Sequence, residues 1–390
     1  MRLSLCKIHQ QNRCRISGST QRSLVMAGKW SKERIWDWYN STPWLRGCNF
    51  MSSDCANRID QWQELGFEER LATTDRELAL AAETGFNTIR IIPEFIVWKE
   101  EHDGFMDRFE RYLQVCAKHG ISCMVVFGND CMPPKNEAWK PLTLGPQHYD
   151  WGYHGGRKNS QHGVFVGPGY HLLDEPEIAQ EHYKWVEEIV TKYKNDSRII
   201  IWDLFNEPGN SNRKSMSLPH LKKFFEIVRD IDPIQPCTVG VFHSTQLGNL
   251  PEIEQFGLDN SDITSYHSYS SYRTNVEIIH DLKELGRPII NTEWLGRVTG
   301  SNVAEQFPLF YLEKVGCYNW GFVAGKYQTY EPWEGTWTQY YNDPEHSNFD
   351  FTKWFHDLYR PNLRPYDPRE IELIQHFCQR ADRDFEKLHK

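Results

Sequence analysis

Two carboxylates follow hydrophobic, strand-like runs in this sequence. Glu207 comes directly after RIIIWDLFN, and Glu293 ends the segment PIINTE. Pro208 lacks a backbone N–H and Gly209 follows it, so the first run must turn at Glu207. Glycoside cleavage needs one carboxylic acid that donates a proton and a second carboxylate that attacks or stabilises the sugar cation. The two glutamates are therefore predicted to act as a pair. The structural alternative is that each caps a helix or pairs with a surface arginine.

A repeated junction indicates which elements position these carboxylates. Four helical stretches end in glycine and are followed at once by an apolar run, after Gly85, Gly120, Gly286 and Gly316. Glycine just past a helix supplies the left-handed residue that closes the helix. Amphipathic helices are predicted at 74–84, 105–119 and 176–193, with a charged final helix at 366–390. The strand candidates are 45–50, 87–92, 121–127, 198–204, 237–242, 262–267, 288–292 and 317–322.

Short apolar strands that alternate with helices predict a parallel sheet buried on both faces. Eight repeats favour an α/β fold of the closed (β/α)₈ type, a TIM barrel, over an open doubly wound sheet. The sequence also lacks the glycine-rich phosphate motifs that would favour the open sheet. The ends of the fourth and seventh strands lie across the barrel mouth, so Glu207 and Glu293 should converge on one ligand. Long loops at 129–173 and 325–350 follow the third and eighth strands, on the same catalytic face.

Asn206-Glu207-Pro208 after a hydrophobic strand, with Thr292-Glu293-Trp294 later in the chain, resembles the clan A glycoside hydrolases. The nearest resemblance is to the cellulase and mannanase type of glycoside hydrolase family 5, over roughly residues 40–360. The resemblance implies a (β/α)₈ barrel and hydrolysis of β-linked glycosides with retention, by double displacement through a covalent glycosyl-enzyme. It also implies that Glu207 is the acid/base and Glu293 the nucleophile.

The same resemblance assigns roles to other residues. It implies that Asn206 hydrogen-bonds the 2-hydroxyl of the sugar being cleaved, and that Arg90 orients the nucleophile and keeps it ionised. His267 and Tyr269 match a histidine-x-tyrosine pair whose phenol contacts the nucleophile, and Trp320 matches a sugar platform. Structural alternatives remain open for three of them: a buried ion pair for Arg90, a core histidine for His267 and barrel filling for Trp320.

One feature departs from the family pattern. The family often has a histidine at the end of the third strand, but this strand runs VVFGND, so we expect Asn129 or Asp130 to make that sugar contact. The long loops are rich in aromatic residues, whose faces stack on the C–H faces of pyranose rings, although each one is also a candidate packing anchor. The loop aromatics predicted to line sugar subsites are Trp151, Tyr153, Trp333 and Trp337.

Electrostatics predicts the same division of roles. Retention requires the carboxyl groups to lie about 5–5.5 Å apart, where their charges repel. Repulsion raises one pKa, whereas an adjacent arginine lowers the other. We therefore expect Arg90 to keep Glu293 anionic and Glu207 to be protonated near neutral pH.

Bulk properties exclude several classes of function. The net charge is −9 with no strongly basic block, which argues against nucleic acid as a partner. No apolar run approaches the roughly 20 residues that span a bilayer, so no membrane association is expected. The 16 histidines form no HxH or HExxH motif, so neither a metal nor an organic cofactor is predicted. The ten cysteines form no CxxC pair and are predicted to be reduced and mostly buried.

The domain organisation is predicted to be simple. Residues 1–28 hold five basic and no acidic residues and are predicted to be a disordered or transit-like extension. Residues 29–390 form the single barrel domain, and translation starts at Met1 or Met26. The longest apolar stretch of the extension is too short for a secretory signal, so a cytoplasmic location is expected, with organelle targeting left open.

The predicted partner is an oligosaccharide or polysaccharide, and four alternatives remain open. An endo-β-glycanase of the mannanase, glucanase or xylanase type and a transglycosylase would use the same residues. A non-catalytic carbohydrate-binding barrel would not need both glutamates with Arg90 and Tyr269, and a metal-dependent barrel hydrolase lacks its ligand motif. The two long loops favour a deep or partly closed site that takes short oligosaccharides or chain ends. The sugar, the linkage and the oligomeric state are not specified by the sequence.

Overall fold

The computed structural model describes residues 25–134, 143–148, 154, 167–345 and 347–389. Within these ranges eight parallel strands form one sheet, and each strand lies where the sequence predicts one. The strands are β1 (Arg46–Asn49), β2 (Thr88–Ile91), β3 (Ser122–Asn129), β4 (Ile199–Asn206), β5 (Cys237–Gly240), β6 (Thr264–His267), β7 (Ile289–Trp294) and β8 (Gly316–Trp320).

Helices connect successive strands and surround the sheet. The three helices predicted between strands correspond to α3, α5 and α6, and the predicted final helix corresponds to α12. The helices are α1 (Lys32–Asn40), α2 (Arg58–Trp62), α3 (Phe67–Thr84), α4 (Phe95–Glu100), α5 (His102–Lys118), α6 (Pro176–Tyr193), α7 (Leu218–Ile231), α8 (Glu252–Asn260), α9 (Tyr272–Lys283), α10 (Val303–Glu313), α11 (Glu334–Asn342) and α12 (Pro368–Leu388).

The sheet curls until its two end strands meet. The hydrogen-bonded strand order is β5-β4-β3-β2-β1-β8-β7-β6. Val241, just past β5, bridges to Tyr266 of β6, and the N–H of His267 donates to the carbonyl of Val241 at 2.8 Å. This contact closes the barrel and confirms the (β/α)₈ prediction. Because the strands are parallel, all their carboxyl ends meet at one mouth.

Two buried clusters hold the barrel together. The larger one lies between the sheet and the helices, where Trp185 of α6 and Phe109 of α5 are completely buried. The smaller cluster includes Met124, Ile201 and Tyr318, contributed by β3, β4 and β8, and fills the barrel. Apolar burial of this kind contributes about 25 cal/mol per Å². The strands are thereby held rigidly enough to fix the side chains at their ends.

The intervals after β3 and β8 are long, as predicted. Between Asn129 and Pro176, the described residues include one short 3₁₀ turn, Leu172–Asp174. The interval after β8 contains α11, a helix that the sequence does not predict. Thr336 is its only buried described residue, so the segment has no apolar stripe to signal a helix.

The described ranges contain no helix that is long and apolar enough to cross a membrane. The eight cysteines in these ranges are unpaired, and all are buried except Cys131, which is half-buried. Residues 1–24, with Cys6 and Cys14, lie outside the described residues. At Met26 the chain already contacts the barrel, because its N–H donates to Oδ1 of Asn260 at 2.7 Å.

Candidate active site

Glu207 lies at the tight turn that ends β4. Its φ of 47° is in the left-handed region, and Gly209 has a φ of 93°. A non-glycine residue held at positive φ costs free energy and persists only where surrounding contacts enforce it. The N–H of Glu207 donates to the carbonyl of Gly240 at 3.1 Å, which fixes the turn against β5. The carboxylate therefore projects into the barrel mouth, as the Pro208–Gly209 sequence predicts.

Both oxygens of the Glu207 carboxylate have hydrogen-bonding partners. Nδ1 of His267, on β6, lies 2.6 Å from Oε1. Oε2 accepts from the thiol of Cys131 at 2.9 Å and from the side-chain amide of Asn210. Neither Cys131 nor Asn210 is predicted from the sequence as a site residue. Their only sequence signal is proximity, one following Asn129-Asp130 and the other lying three residues after Glu207.

Glu293, on β7, is held by a different set of groups. Nη1 of Arg90 donates to its Oε1 at 2.9 Å, and the Tyr269 hydroxyl donates to its Oε2 at 2.8 Å. Nδ1 of His267 lies 3.5 Å from the same Oε2. The structure thus brings Arg90, His267 and Tyr269 around Glu293, as expected for residues that orient a nucleophile. Fixing both oxygens leaves the carboxylate little rotational freedom.

Arg90 also connects Glu293 to the interior of the barrel. The Arg90 side chain is completely buried, and its guanidinium donates to Asp203 at 2.9 Å, to Asn49 at 2.8 Å and to Asn206 at 2.7 Å. Asp203 is a second carboxylate on the same guanidinium, so two buried carboxylates share one cation. Neither Asp203 nor Asn49 is predicted from the sequence as a site residue, although the lone carboxylate inside the apolar run IIIWDLF is a signal for Asp203.

The two carboxylates lie close together. One oxygen of each carboxylate and one nitrogen of His267 lie within 4.8 Å of one another. Inverting glycosidases separate their carboxyl groups by about 6.5–9.5 Å to admit a water molecule, whereas retaining enzymes bring them to about 5–5.5 Å. The separation here matches the retaining geometry.

The pKa values of the two carboxyl groups are shifted in directions opposite to those expected from the sequence. Burial raises the pKa of Glu207, but the hydrogen bond and charge of His267 outweigh burial and lower that pKa to about 2. Burial raises the pKa of Glu293, and repulsion from Glu207 adds to it against the attraction of His267 and Arg90. These directions differ from the predicted ones, because His267 lies nearer to Glu207 than to Glu293.

Two asparagines line the mouth beside Glu207. Oδ1 of Asn206 accepts from Arg90, and its amide donates to Oδ1 of Asn129 at 2.8 Å. Asn129 borders the cavity, as expected for a residue that replaces the missing strand-three histidine. The alternative, Asp130, is completely buried and accepts from Arg213 and Gly209 instead. Of the two candidates, only Asn129 is available to a sugar.

Aromatic side chains form one wall of the cavity. Trp320, at the end of β8, donates its indole N–H to Nε2 of His154 at 2.8 Å and stacks on that ring. Tyr327 lies against the same histidine, with ring centroids 5.0 Å apart. Trp333 packs edge-on against Tyr269, with centroids 4.9 Å apart, and borders the cavity. Neither His154 nor Tyr327 was predicted from the sequence. His154 lies 166 residues from Trp320 along the chain, and no spacing distinguishes Tyr327 from the other aromatic residues of the loop after β8.

The remaining loop aromatics do not behave alike. Trp337 stacks on Phe351, with centroids 3.8 Å apart, and is not among the residues that line the cavity. The structure therefore places Trp337 as a packing anchor of its loop, and the prediction that it lines a subsite was wrong. Trp151 and Tyr153 lie outside the described residues.

The mouth encloses a cavity of about 840 Å³ that reaches both carboxylates. Pockets of about 300–1,000 Å³ bury most of a drug-sized ligand, so the volume suits a short oligosaccharide. Within the described ranges, the one group with metal-ligand side chains is Glu207, His267 and Glu293. The Arg90 guanidinium already occupies one oxygen of Glu293, and that positive charge disfavours a cation there.

A family comparison agrees with the geometry. The model of the family described as cellulase, glycosyl hydrolase family 5, matches residues 52–354, which include every strand from β2 to β8. Among curated proteins, none matches the sequence significantly.

Solved structures with the same fold share little sequence with this chain. An exo-β-1,4-mannosidase, Op5Man5, from Opitutaceae bacterium strain TAV5 is 14% identical over 87% of this chain, with a TM-score of 0.56. The match spans 60% of that protein's length. A GH5_18 protein from Streptomyces cattleya, solved with GlcNAc, is 11% identical with a TM-score of 0.55, covering 87% of this chain and 80% of that one. A β-1,4-mannanase from the sea hare Aplysia kurodai is 15% identical with a TM-score of 0.50, covering 71% and 88%.

Proposed function

The chain belongs to glycosyl hydrolase family 5 and is a glycoside hydrolase, and we propose that it is a retaining β-glycosidase acting on short β-linked oligosaccharides or chain ends. Glu293 is the nucleophile and Glu207 the acid/base of this proposal. The observation that carries it is the pair of carboxylates within 4.8 Å, one fixed by Arg90 and Tyr269 and the other by His267.

The first step forms a glycosyl-enzyme. One oxygen of Glu293 attacks the anomeric carbon, the bond to the leaving oxygen breaks, and Glu207 gives that oxygen a proton. Arg90 and Tyr269 hold the attacking carboxylate in one orientation, so little freedom is lost when the transition state forms. In the second step Glu207 takes a proton from water, the water attacks the anomeric carbon, and Glu293 is released as a carboxylate.

Because the pKa of Glu207 is low, the first step requires a source for its proton. Nδ1 of His267 lies 2.6 Å from Oε1 of Glu207, close enough for the two atoms to share a proton. A bound sugar removes water from the cavity and disfavours a charged carboxylate. We infer that Oε1 of Glu207 then takes up the proton that it shares with Nδ1 of His267 and passes it to the leaving oxygen. After the first step, the charge of Glu293 is consumed in the ester bond, so Glu207 is again free to act as a base.

The cavity volume of about 840 Å³ supports short substrates. Two of the similar structures are an exo-β-1,4-mannosidase and a β-1,4-mannanase, and this similarity supports testing β-mannosides first in a substrate panel. Asn206, beside Glu207, is proposed to bind the 2-hydroxyl, whose axial or equatorial position distinguishes manno from gluco substrates.

The test is covalent trapping. The protein is incubated with activated 2-deoxy-2-fluoro β-glycosides of mannose, glucose, galactose and xylose, and its intact mass is measured before peptide mapping. We expect an increase of one sugar on the peptide that contains Glu293, and no increase in Glu293→Gln. An adduct on another carboxylate would contradict the assigned nucleophile. Turnover of natural β-oligosaccharides without an adduct, and with inversion detected by NMR, would contradict retention.

A further inference from the structure

The residue after β3 is tied to the turn that carries Glu207. Asp130 is completely buried, and its Oδ2 accepts from the N–H of Gly209 at 2.7 Å. Its Oδ1 accepts from Nε of Arg213 and from the Ser217 hydroxyl, each at 2.7 Å. Both carboxylate oxygens therefore contact the segment between β4 and α7.

Arg213 fixes the same segment from another side. Its buried guanidinium donates to the carbonyl of Gly169 at 2.7 Å and to both oxygens of Asp174 at 2.7 and 2.8 Å. The turn needs such support, because it includes several non-glycine residues at positive φ, an unfavourable conformation. These residues are Glu207, Ser211, Asn212 and Lys214.

Cys131 contacts the Glu207 carboxylate itself. Its sulfur lies 2.9 Å from Oε2, and the amides of Asn206 and Asn210 lie 3.5 Å and 3.3 Å from the same sulfur. Burial and the neighbouring carboxylates raise the pKa of the Cys131 thiol well above its usual range. The group is therefore a thiol whose S–H donates to Oε2, and it stabilises the charged form of Glu207.

We propose that Asp130 and Cys131 are positioning residues for Glu207: Asp130 fixes the turn through Gly209 and Arg213, and Cys131 holds the carboxylate at Oε2. The proposal rests on the proposed function, in which Glu207 is the acid/base. The segment at the end of β3, where the sequence lacks the family's usual histidine, thus supports proton transfer.

Other groups around Glu207 also influence its titration and remain unchanged in the variants below. His267 faces Oε1 from β6, and Glu293 faces it from β7. Tyr269 lies near both carboxylates, and Arg90 reaches the turn through Asn206. A change in the titration of Glu207 after substitution at Cys131 therefore reports the removed thiol.

The first experiment varies the leaving group. Proton donation matters for a poor leaving group and little for 2,4-dinitrophenolate, so Asp130→Asn should lose at least about tenfold in kcat/KM on an unactivated glycoside and under about threefold on the dinitrophenyl glycoside. Asp262→Asn is the matched control, because Asp262 is equally buried and pairs with Arg229 at 2.8 Å without contacting Glu207. An equal loss on both substrates, or the same selectivity in the control, would overturn the proposal for Asp130.

The second experiment tests the thiol by pH. Glu207 and His267 share the proton that the first step consumes, so the basic limb of kcat/KM reports the loss of that shared proton. Removing a donor to Oε2 leaves more negative charge on Glu207 to hold this proton, so the limb in Cys131→Ala should move to higher pH by up to about one unit. Cys131→Ser keeps a donor and should restore the wild-type limb. Cys378→Ala, a buried cysteine on α12, is the control and should leave the limb unchanged. An unmoved limb in Cys131→Ala would contradict the proposal.

A third measurement needs no turnover. Carboxyl ¹³C NMR of glutamate-labelled protein, with the Glu207 signal assigned by Glu207→Gln, reports the titration of Glu207 directly. Its midpoint should rise in Cys131→Ala and return in Cys131→Ser, whereas identical midpoints in all three proteins would overturn the role of the thiol. Failure of the proposed function would appear separately, as wild-type protein that turns over none of the glycosides.

Discussion

At the scale of single residues, the two glutamates differ in what holds them. Glu293 receives two donors that cannot lose their protons near neutral pH, the Arg90 guanidinium and the Tyr269 phenol, whose pKa is raised by burial. Glu207 contacts the imidazole of His267, whose ring nitrogens can donate or accept a proton. A carboxylate held in one orientation therefore faces a carboxyl group with a proton-sharing partner, which suits a nucleophile and an acid/base.

Substitution of the two glutamates should separate their roles. Glu293→Ala is expected to lose nearly all turnover on every substrate. Glu207→Ala should lose about 10²–10⁴-fold on unactivated glycosides but far less on dinitrophenyl glycosides, whose leaving group needs no proton. Steady-state kinetics with both substrates checks this, with thermal unfolding to show that the variants are folded. Equal turnover by wild type and Glu293→Ala would refute the mechanism.

Arg90 is expected to matter for both stability and activity. Arg90→Leu leaves Asp203 and Glu293 buried without their shared cation, which should lower the free energy of unfolding by about 3–5 kcal/mol. The pKa of Glu293 should also rise, so the acidic limb of kcat/KM moves to higher pH. Denaturant unfolding and a pH profile measure the two effects. Arg229→Leu, which breaks the Arg229–Asp262 pair, should reduce stability but leave the pH profile unchanged.

At the scale of elements, the ends of the strands position the site, and the end of β5 must be a glycine. A Cβ at Gly240, the last residue of β5, would lie 2.7 Å from Nε2 of His267. The ring that contacts Glu207 therefore occupies space that only glycine leaves open.

Gly240→Ala should displace the His267 ring. Loss of its hydrogen bond removes the main group that lowers the pKa of Glu207, so this pKa should rise from about 2. Gly316→Ala is the control, since its Cβ would meet only Leu45 and Ile290, 3.1 Å away or more, distant from the carboxylates. Carboxyl NMR of Glu207 provides the direct reading, and an unchanged midpoint would contradict the assigned role of His267.

Strand positions could be predicted from sequence because most strands are short apolar runs, and β2, β3 and β7 each follow a helix that is closed by a glycine at positive φ. At β8 the closing residue is Lys314, and Gly316 is already the first residue of the strand. The carboxylates at the ends of β4 and β7 followed from that frame, as did Arg90 and Tyr269 through the family resemblance. Cys131 and Asp203 could not be assigned, because their roles depend on which side chains meet across the barrel. The directions in which the pKa values of Glu207 and Glu293 are shifted could not be predicted either. They depend on Nδ1 of His267, which lies 2.6 Å from Oε1 of Glu207 but 3.5 Å from Oε2 of Glu293.

At the scale of the whole molecule, stability is coupled to pH through groups that catalysis does not use. Asp357 is completely buried beside Thr329, and Glu77 is completely buried beside Ser53. Burial raises the pKa of each carboxyl to about 7. The folded protein therefore binds more protons than the unfolded chain between about pH 4.5 and 7, and the stability contributed by each group falls as the pH rises through that interval.

The free energy of unfolding should depend on pH differently in wild type than in Asp357→Asn and Glu77→Gln. Each substitution should remove a slope of up to about 1.4 kcal/mol per pH unit between pH 4.5 and 7. Each variant should therefore gain stability relative to wild type as the pH rises. Burial lowers the pKa values of His171 and His182, so these two groups make the free energy of unfolding rise with pH below about pH 6.5. Each variant is therefore compared with wild type at the same pH, because this contribution is common to both. Urea unfolding at several pH values gives the slopes, with the exposed Asp37→Asn as control. Parallel curves for all four proteins would show that these carboxyls ionise in the folded barrel as they do in the unfolded chain.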